Sequence, residues 1–274
     1  MTLPQPVRTV VRTALRGGEA ALGTRAIPEE TPIALTYNRA AYAVMLATPA
    51  DLEDFAIGFS LTEGIVQSPA EIEELDIVPG DTGIELRMWL SDERADAITM
   101  RQRRLAGPSG CGLCGLESLA DAVRTPPHVA SEARFAPSAI HAAMAALAPA
   151  QKLNQQTRAV HAAGFWHPQR GLVALREDVG RHNALDKLAG ALARQGSAAA
   201  DGLLLLSSRI SVELVQKAAM LGAPIVAAVS APTALAVRLA DEAGITLVGI
   251  ARSDGFEVFT RPERIVSQQV QDVA

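Results

Sequence analysis

Cys111 and Cys114 are the only cysteines of the chain, and they form a C-x-x-C pair. A pair at that spacing has four readings. A structural zinc site takes four ligands, so two would have to come from His128, His141, His161, His167 and His182. Of these, only His161 and His167 have finger-like spacing, and they bracket a predicted strand instead of sharing a helix face. A thioredoxin-like redox pair opens a helix after a strand. Here Gly107-Pro108-Ser109-Gly110 precede the pair, Gly112 lies inside it and Gly115 follows it. Neither helix nor strand is stable at that glycine density. Inert buried thiols belong on apolar elements, which this segment is not. A reactive thiol on a flexible arm, able to reach two partners in turn, fits the composition best. A helix predicted from Leu116 to Arg124 could favour the thiolate. The zinc nucleobase deaminases also end their signature in C-x-x-C but need H-x-E upstream. No histidine here has Glu two positions on, so that chemistry is excluded.

The second constellation runs Arg176-Glu177-Asp178-Val179-Gly180-Arg181-His182-Asn183-Ala184-Leu185-Asp186-Lys187 and packs eight ionisable or strongly polar side chains around a predicted strand-to-helix turn. Gly180 lets the backbone turn, and a helix is expected from Asn183. Helix N-termini offer free N–H groups and positive potential, to which Arg181 and His182 add donors. A solvated ion-pair turn is one reading. An anion site is the better one, because the polarity sits beside an apolar strand. Two more loops resemble it. Ser207-Ser208-Arg209 follows a predicted strand, and so does Ser230-Ala231-Pro232-Thr233. Each hydroxyl alone reads as an N-cap. Together they point to one crevice for a phosphate-bearing ligand at the carboxyl ends of parallel strands. Neither G-x-G-x-x-G nor a Walker A motif is present, so a standard dinucleotide fold or P-loop is not supported.

The elements that must position these groups can be read from patterning. Met1–Gly18 has arginines but no apolar segment of signal-peptide type, and residues 1–25 are expected to be a flexible tail. Residues 26–125 read as a smaller α+β region. Pro32–Tyr37 and Ala41–Ala47 form a hairpin around Asn38-Arg39. A helix follows with Thr48 as N-cap, burying Leu52, Phe55, Ala56 and Phe59 and ending near Gly64. Gly83–Leu90 reads as a strand and Asp92–Arg104 as a polar helix. Residues 126–274 read as an α/β core that binds the ligand. Its helices are Pro137–Ala148, Asn183–Arg194, Ser211–Leu221 and Thr233–Ala243. Its strands are Ala159–Trp166, Leu172–Glu177, Gly202–Leu206, Pro224–Val229, Ile245–Ile250 and Phe256–Thr260. Such alternation implies a sheet with parallel strands covered by helices.

Composition bounds the rest. At roughly 150 residues per domain, 274 residues and 28.8 kDa make one large domain or two unequal ones. With 49% hydrophobic and 20% charged residues, a sizeable core is available and extensive disorder is excluded. The net charge of −5 argues against a general nucleic-acid or anionic-membrane binder. At 4% aromatic, a stacking platform for single strands is not expected. Two cysteines exclude a disulfide-stapled scaffold. Ala218–Val237 is uncharged over the length of a membrane span, but Gly222, Pro224 and Pro232 punctuate it into helix end, buried strand and new helix.

Ser109–Gly115, Glu177–Lys187, Ser207-Ser208-Arg209 and Val229–Ala236 resemble the FdhD/NarQ family, the formate dehydrogenase accessory sulfur carriers. The resemblance runs from about residue 30 to residue 265. It implies a cytidine-deaminase-like mixed α/β fold without deaminase chemistry, as a cytoplasmic homodimer. It implies that sulfane sulfur is accepted from a cysteine desulfurase as a persulfide on Cys111, with Cys114 as second cysteine. The sulfur would pass to the bis-guanine-dinucleotide molybdenum cofactor before insertion into formate dehydrogenase. The family's cofactor-binding stretch maps onto Ile250-Ala251-Arg252-Ser253-Asp254-Gly255. The family commonly has Thr-Gly-Gly where this chain has Thr157-Arg158-Ala159, and an aromatic residue at Ile250. The expected crevice holds guanine nucleotide phosphates, with GDP as analogue, through Arg181, His182, Ser207, Ser208, Arg209 and Arg252, and no structural metal. Two other activities stay open: a chaperone that delivers the cofactor without sulfur chemistry, and a thiol-disulfide oxidoreductase.

Overall fold

The computed structural model describes residues 2–91, 94 and 125–266. The expected Asp92–Arg104 helix, the cysteine loop with Cys111 and Cys114, and the Leu116–Arg124 helix lie outside the described residues, except for Arg94.

Turn chemistry sets the first two hairpins. Gly17 and Gly18, at φ of 57° and 87°, join β1 (Val7–Arg16) to β2 (Glu19–Pro28) in a ten-pair antiparallel ribbon. Two central residues at positive φ match the twist of the flanking strands. The expected tail is therefore corrected for residues 7–25: they are strand and turn. Two adjacent glycines between alternating segments were the signal. Arg25 ties the ribbon's base to the body by donating to the Thr157 carbonyl at 3.2 Å. Asn38 and Arg39, at φ of 47° and 70°, play the same part between β3 (Thr31–Tyr37) and β4 (Ala40–Ala47), as expected. These strands join β5 (Ile72–Pro79) and β6 (Ile84–Leu90) in a sheet of order β4-β3-β6-β5, in which β3 and β6 run parallel.

Helix α1 (Leu52–Thr62) covers one face of this sheet through Phe55 and Phe59, packed with Ile33, Leu35, Leu86 and Met88. It starts later than expected. Asp51, not Thr48, occupies the cap position, in a left-handed conformation and without a side-chain cap bond. Thr48 is engaged elsewhere, as described below.

The second half follows the expected α/β alternation. Helices α2 (Pro137–Ala150) and α3 (Lys152–Thr157) precede a six-stranded sheet. Its strands are β7 (His161–His167), β8 (Gly171–Asp178), β9 (Leu203–Leu206), β10 (Ile225–Ala228), β11 (Thr246–Arg252) and β12 (Gly255–Val258). The order is β12-β11-β10-β9-β7-β8, with β9, β10 and β11 parallel and β7 antiparallel to β9. Helices α4 (Arg181–Arg194), α5 (Val212–Met220) and α6 (Ala234–Glu242) supply the core on one face of the sheet. Ile140, Ala143 and Leu147 of α2 pack on the other. The uncharged Ala218–Val237 stretch resolves into the end of α5, strand β10 and the start of α6. Among the described residues no helix is long and apolar enough to cross a membrane.

Helices α1 and α4 join the halves by a close backbone approach. A Cβ on Gly58 would lie 1.7 Å from the Asp186 carbonyl oxygen, and one on Gly190 would lie 1.9 Å from that of Asp54.

Candidate functional site

Four chain ends meet at one edge of the larger sheet. Parallel strands β9 and β10 deliver Ser207-Ser208-Arg209 and Ser230 beyond their carboxyl ends. Because β7 runs antiparallel to β9, its first residue, His161, arrives at the same edge. Helix α4 begins there with Arg181. His161, Arg181, Ser207, Ser208, Arg209 and Ser230 line a cavity of about 290 Å³.

Among the described residues the lining holds two guanidinium groups, three hydroxyls, one imidazole and no carboxylate. Arg181 Nε is buried and has no hydrogen-bond partner among the described residues, an arrangement that costs free energy unless something fills it. Gly180 caps α4 without a side chain, which leaves the positive end of the helix beside Arg181. Ser207 Oγ accepts from the Ala162 amide at 2.7 Å, a bond that does not use its own hydroxyl proton. Ser208 Oγ donates to the Arg209 carbonyl at 2.9 Å. Burial, and then the Arg181 charge, push the His161 imidazole below its ordinary value against the opposing pull of Asp178. Burial and the Arg181 charge both favour the neutral ring. The whole arrangement favours an anion rich in acceptor oxygens, as phosphates are.

The rest of the Arg176–Lys187 segment does a different job. Asp178 Oδ2 accepts from Lys187 Nζ at 2.6 Å and from the Thr48 amide at 3.0 Å. Its Oδ1 accepts from the Gly180 amide at 2.8 Å and from Asn183 Nδ2 at 3.0 Å. Lys187 also donates to the Thr48 carbonyl at 2.8 Å, and Thr48 Oγ1 accepts from the Val179 amide at 3.1 Å. Glu177 caps α3 through the Leu153 and Asn154 amides, both at 2.8 Å. Asp186 binds Thr62 at 2.6 Å and Lys217 at 2.8 Å. Burial disfavours the Lys217 ammonium, but Asp186 and Glu63 outweigh it and hold the amine above its ordinary range. Arg176 and Arg194 both grip Asp54. The segment is thus mainly an internal brace that fixes the start of α4, and Arg181 is its contribution to the cavity.

The other predicted residues take separate places. His182 sits 3.4 Å from Ser211 Oγ and 3.6 Å from Glu213 Oε2, outside the cavity lining. Burial, then Arg181, push its imidazole down to about 4 although Glu213 pulls the other way. Ile250, at φ of 52°, reaches the rim by donating its amide to the Ser230 carbonyl at 3.3 Å. Ala251 is buried in the apolar layer with α2. Arg252, Ser253 and Asp254 are exposed around the turn into Gly255, the first residue of β12, and do not line the cavity. Pattern reading assigns the Ser230 loop to the crevice without singling Ser230 out as a ligand residue, and it places His161 only in a zinc test. Among the described residues no cluster of three or more His, Cys, Asp or Glu could hold a metal.

The model of the FdhD/NarQ family matches residues 28–266. The chain belongs to the FdhD/NarQ family. Its similarity to individual relatives covers nearly its whole length. It is 54% identical to the sulfur carrier protein FdhD of Agrobacterium fabrum over 264 residues, covering 94% of this chain and 96% of that one. It is 51% identical to the sulfur carrier protein FdhD of Brucella abortus over 244 residues, covering 89% and 91%. A crystal structure from Desulfotalea psychrophila, described as a formate dehydrogenase accessory protein, superposes with a TM-score of 0.73 at 26% identity, over 95% of this chain and 99% of that one. One FdhD/NarQ feature gains a physical reason here. Arg158 lies at φ of 59°, a left-handed position that glycine occupies at no steric cost. This is where the family pattern has the first glycine of Thr-Gly-Gly.

Proposed function

We propose that the chain is a sulfur carrier serving formate dehydrogenase. In this reading Cys111 attacks the sulfane sulfur of a cysteine desulfurase persulfide and leaves the donor as thiolate. The nucleophile is the thiolate, so an exposed thiol with a lowered pKa is required. The sulfur then passes to the bis-guanine-dinucleotide molybdenum cofactor, bound as substrate, before its insertion into the enzyme. The observation that supports this most is the cavity at the carboxyl ends of β9 and β10. It presents Arg181, Arg209 and three serines without a carboxylate, which suits the diphosphate of a guanine dinucleotide.

The protein works in this reading as a cytoplasmic homodimer. The exposed ribbon supports self-association. Val11, Thr13 and Leu15 stand opposite Thr24, Leu22 and Ala20 on one face free of charge, and Val11, Leu15 and Leu22 are 79%, 75% and 83% exposed. Exposed apolar faces of this kind mark interaction sites.

The deciding experiment is intact-protein mass spectrometry without reductant after incubation with a cysteine desulfurase and cysteine. Wild type is expected to gain one sulfur that thiol reduction removes, Cys111→Ala to gain none, and Cys114→Ala to report whether the second cysteine is needed. No adduct on wild type, with a verified active desulfurase, would shift the function to cofactor delivery without sulfur chemistry.

A further inference from the structure

Among the described lining residues, His161 is the one whose side chain ordinarily changes its charge near neutral pH. Its position is fixed from two sides. It begins β7, directly before Ala162, whose amide is held by Ser207 Oγ at 2.7 Å and whose carbonyl accepts from the Ser207 amide at 3.0 Å. It is paired across the ladder with Asp178, the carboxylate that Lys187 already neutralises at 2.6 Å. Among the described residues, Arg181 from α4 and Arg209 from the β9–α5 loop share its cavity, Asp178 flanks it from β8, and no carboxylate enters the lining. The imidazole therefore shares its cavity with two fixed positive charges, of which Arg181 acts on it directly while Asp178 pulls the other way.

We propose that His161 is a ligand-contacting residue of this cavity and that it takes up a proton when a phosphate-bearing anion enters and returns it when the anion leaves. This rests on reading the cavity as a phosphate site, and it concerns how that site binds and releases. The physical argument is symmetric. With the cavity free of anion, burial and Arg181 both disfavour imidazolium. A phosphate placed among His161, Arg181 and Arg209 brings negative charge close to the ring and reverses the second influence, so the charged form becomes favourable. The proton comes from solvent onto a ring nitrogen, which then donates to a phosphate oxygen as a charge-assisted bond. Binding becomes tighter as pH falls toward the ordinary range of histidine. Release becomes easier wherever the local environment withdraws that proton.

The test is calorimetric titration of the full chain with GDP and, separately, inorganic pyrophosphate. It is run at several pH values and in buffers of different ionisation enthalpy, on wild type and on His161→Gln. Proton release by the ligand itself is common to both proteins, so the difference between them isolates His161. Wild type is expected to take up more protons per ligand than the variant. The wild-type-to-variant affinity ratio is expected to grow, by up to about tenfold per pH unit, as pH falls from 8 toward 6.5. If the variant does not fold, the histidine C2–H proton resonances of wild type give the answer. One of the five histidines must titrate at higher pH with pyrophosphate than without it. Equal proton counts and unshifted resonances, with ligand bound, would overturn the His161 proposal and leave the phosphate site standing. No binding of either ligand by folded wild type would overturn the phosphate site and the His161 proposal with it.

Discussion

Lys187 has no exposed surface, yet it carries an ammonium group that bonds to Asp178 and the Thr48 carbonyl. Replacing it by Met leaves the Asp178 carboxylate buried beside an apolar chain. Breaking a buried pair from one side costs about 3–5 kcal/mol, so Lys187→Met is expected to lower the midpoint of denaturant unfolding sharply. An unchanged midpoint would show that the pair contributes nothing. His182 supplies a pH dependence with a definite sign. Its folded value, about 4, lies below the ordinary histidine value of about 6.5, so the unfolded chain binds the proton more tightly. The stability it contributes is complete above about pH 6.5 and is lost as pH falls toward 4. Thermal unfolding of His182→Gln is expected to lose less stability over that window than wild type does. Only part of this was legible in the sequence. The density of polar groups in Arg176–Lys187 marked the segment as special. Most of those groups turn inward to partners such as Thr48, Asp54 and Thr62, more than 100 residues away in the chain. Local spacing carries no trace of a partner at that distance.

At the scale of elements, the crossing of α1 and α4 is set by two hydrogens. Gly58 and Gly190 let each helix backbone touch the other. Glycine to alanine inside a helix ordinarily gains about 1 kcal/mol. Here the added methyl would meet backbone, which cannot swing aside, so Gly58→Ala and Gly190→Ala are expected to destabilise instead, by about 1–3 kcal/mol or more. Urea unfolding of the two variants gives the sign, and a gain in either would mean that the helices separate without penalty. The α/β half was readable because the short apolar strands β9 and β10 are each followed by small or hydroxyl residues and a helix of ordinary length. The first half was harder. Strand β5, with the sequence Ile-Glu-Glu-Leu-Asp-Ile-Val-Pro, has too many acids to stand out. Thr48-Pro49 imitates a helix start that the chain makes three residues later, at Asp51. The N-terminal ribbon was hidden by its arginines, which occupy the face opposite Val11 and Leu15.

For the whole molecule, the ribbon and the cavity make separate demands. The uncharged ribbon face is large for a two-stranded element with little support, and isolated ribbons are marginal in water. In the homodimer reading a second copy covers it. Sedimentation is expected to show wild type as a dimer and Leu22→Asp shifted toward monomer, with the far-ultraviolet circular dichroism spectrum unchanged. A monomeric wild type would remove the ribbon from the assembly. The brace beneath Arg181 has a consequence for how the protein is made. The Thr48 amide waits for Asp178, 130 residues downstream, and the cavity also needs Ser230 from still later in the chain. Synthesis therefore lays down one jaw of the site long before the other. A carboxyl-terminal fragment would carry Asp178 and Lys187 without the amide and carbonyl of Thr48, and a chain released early would lack Ser230. Neither product could assemble the whole of the site, so completion of the chain and completion of the cavity coincide.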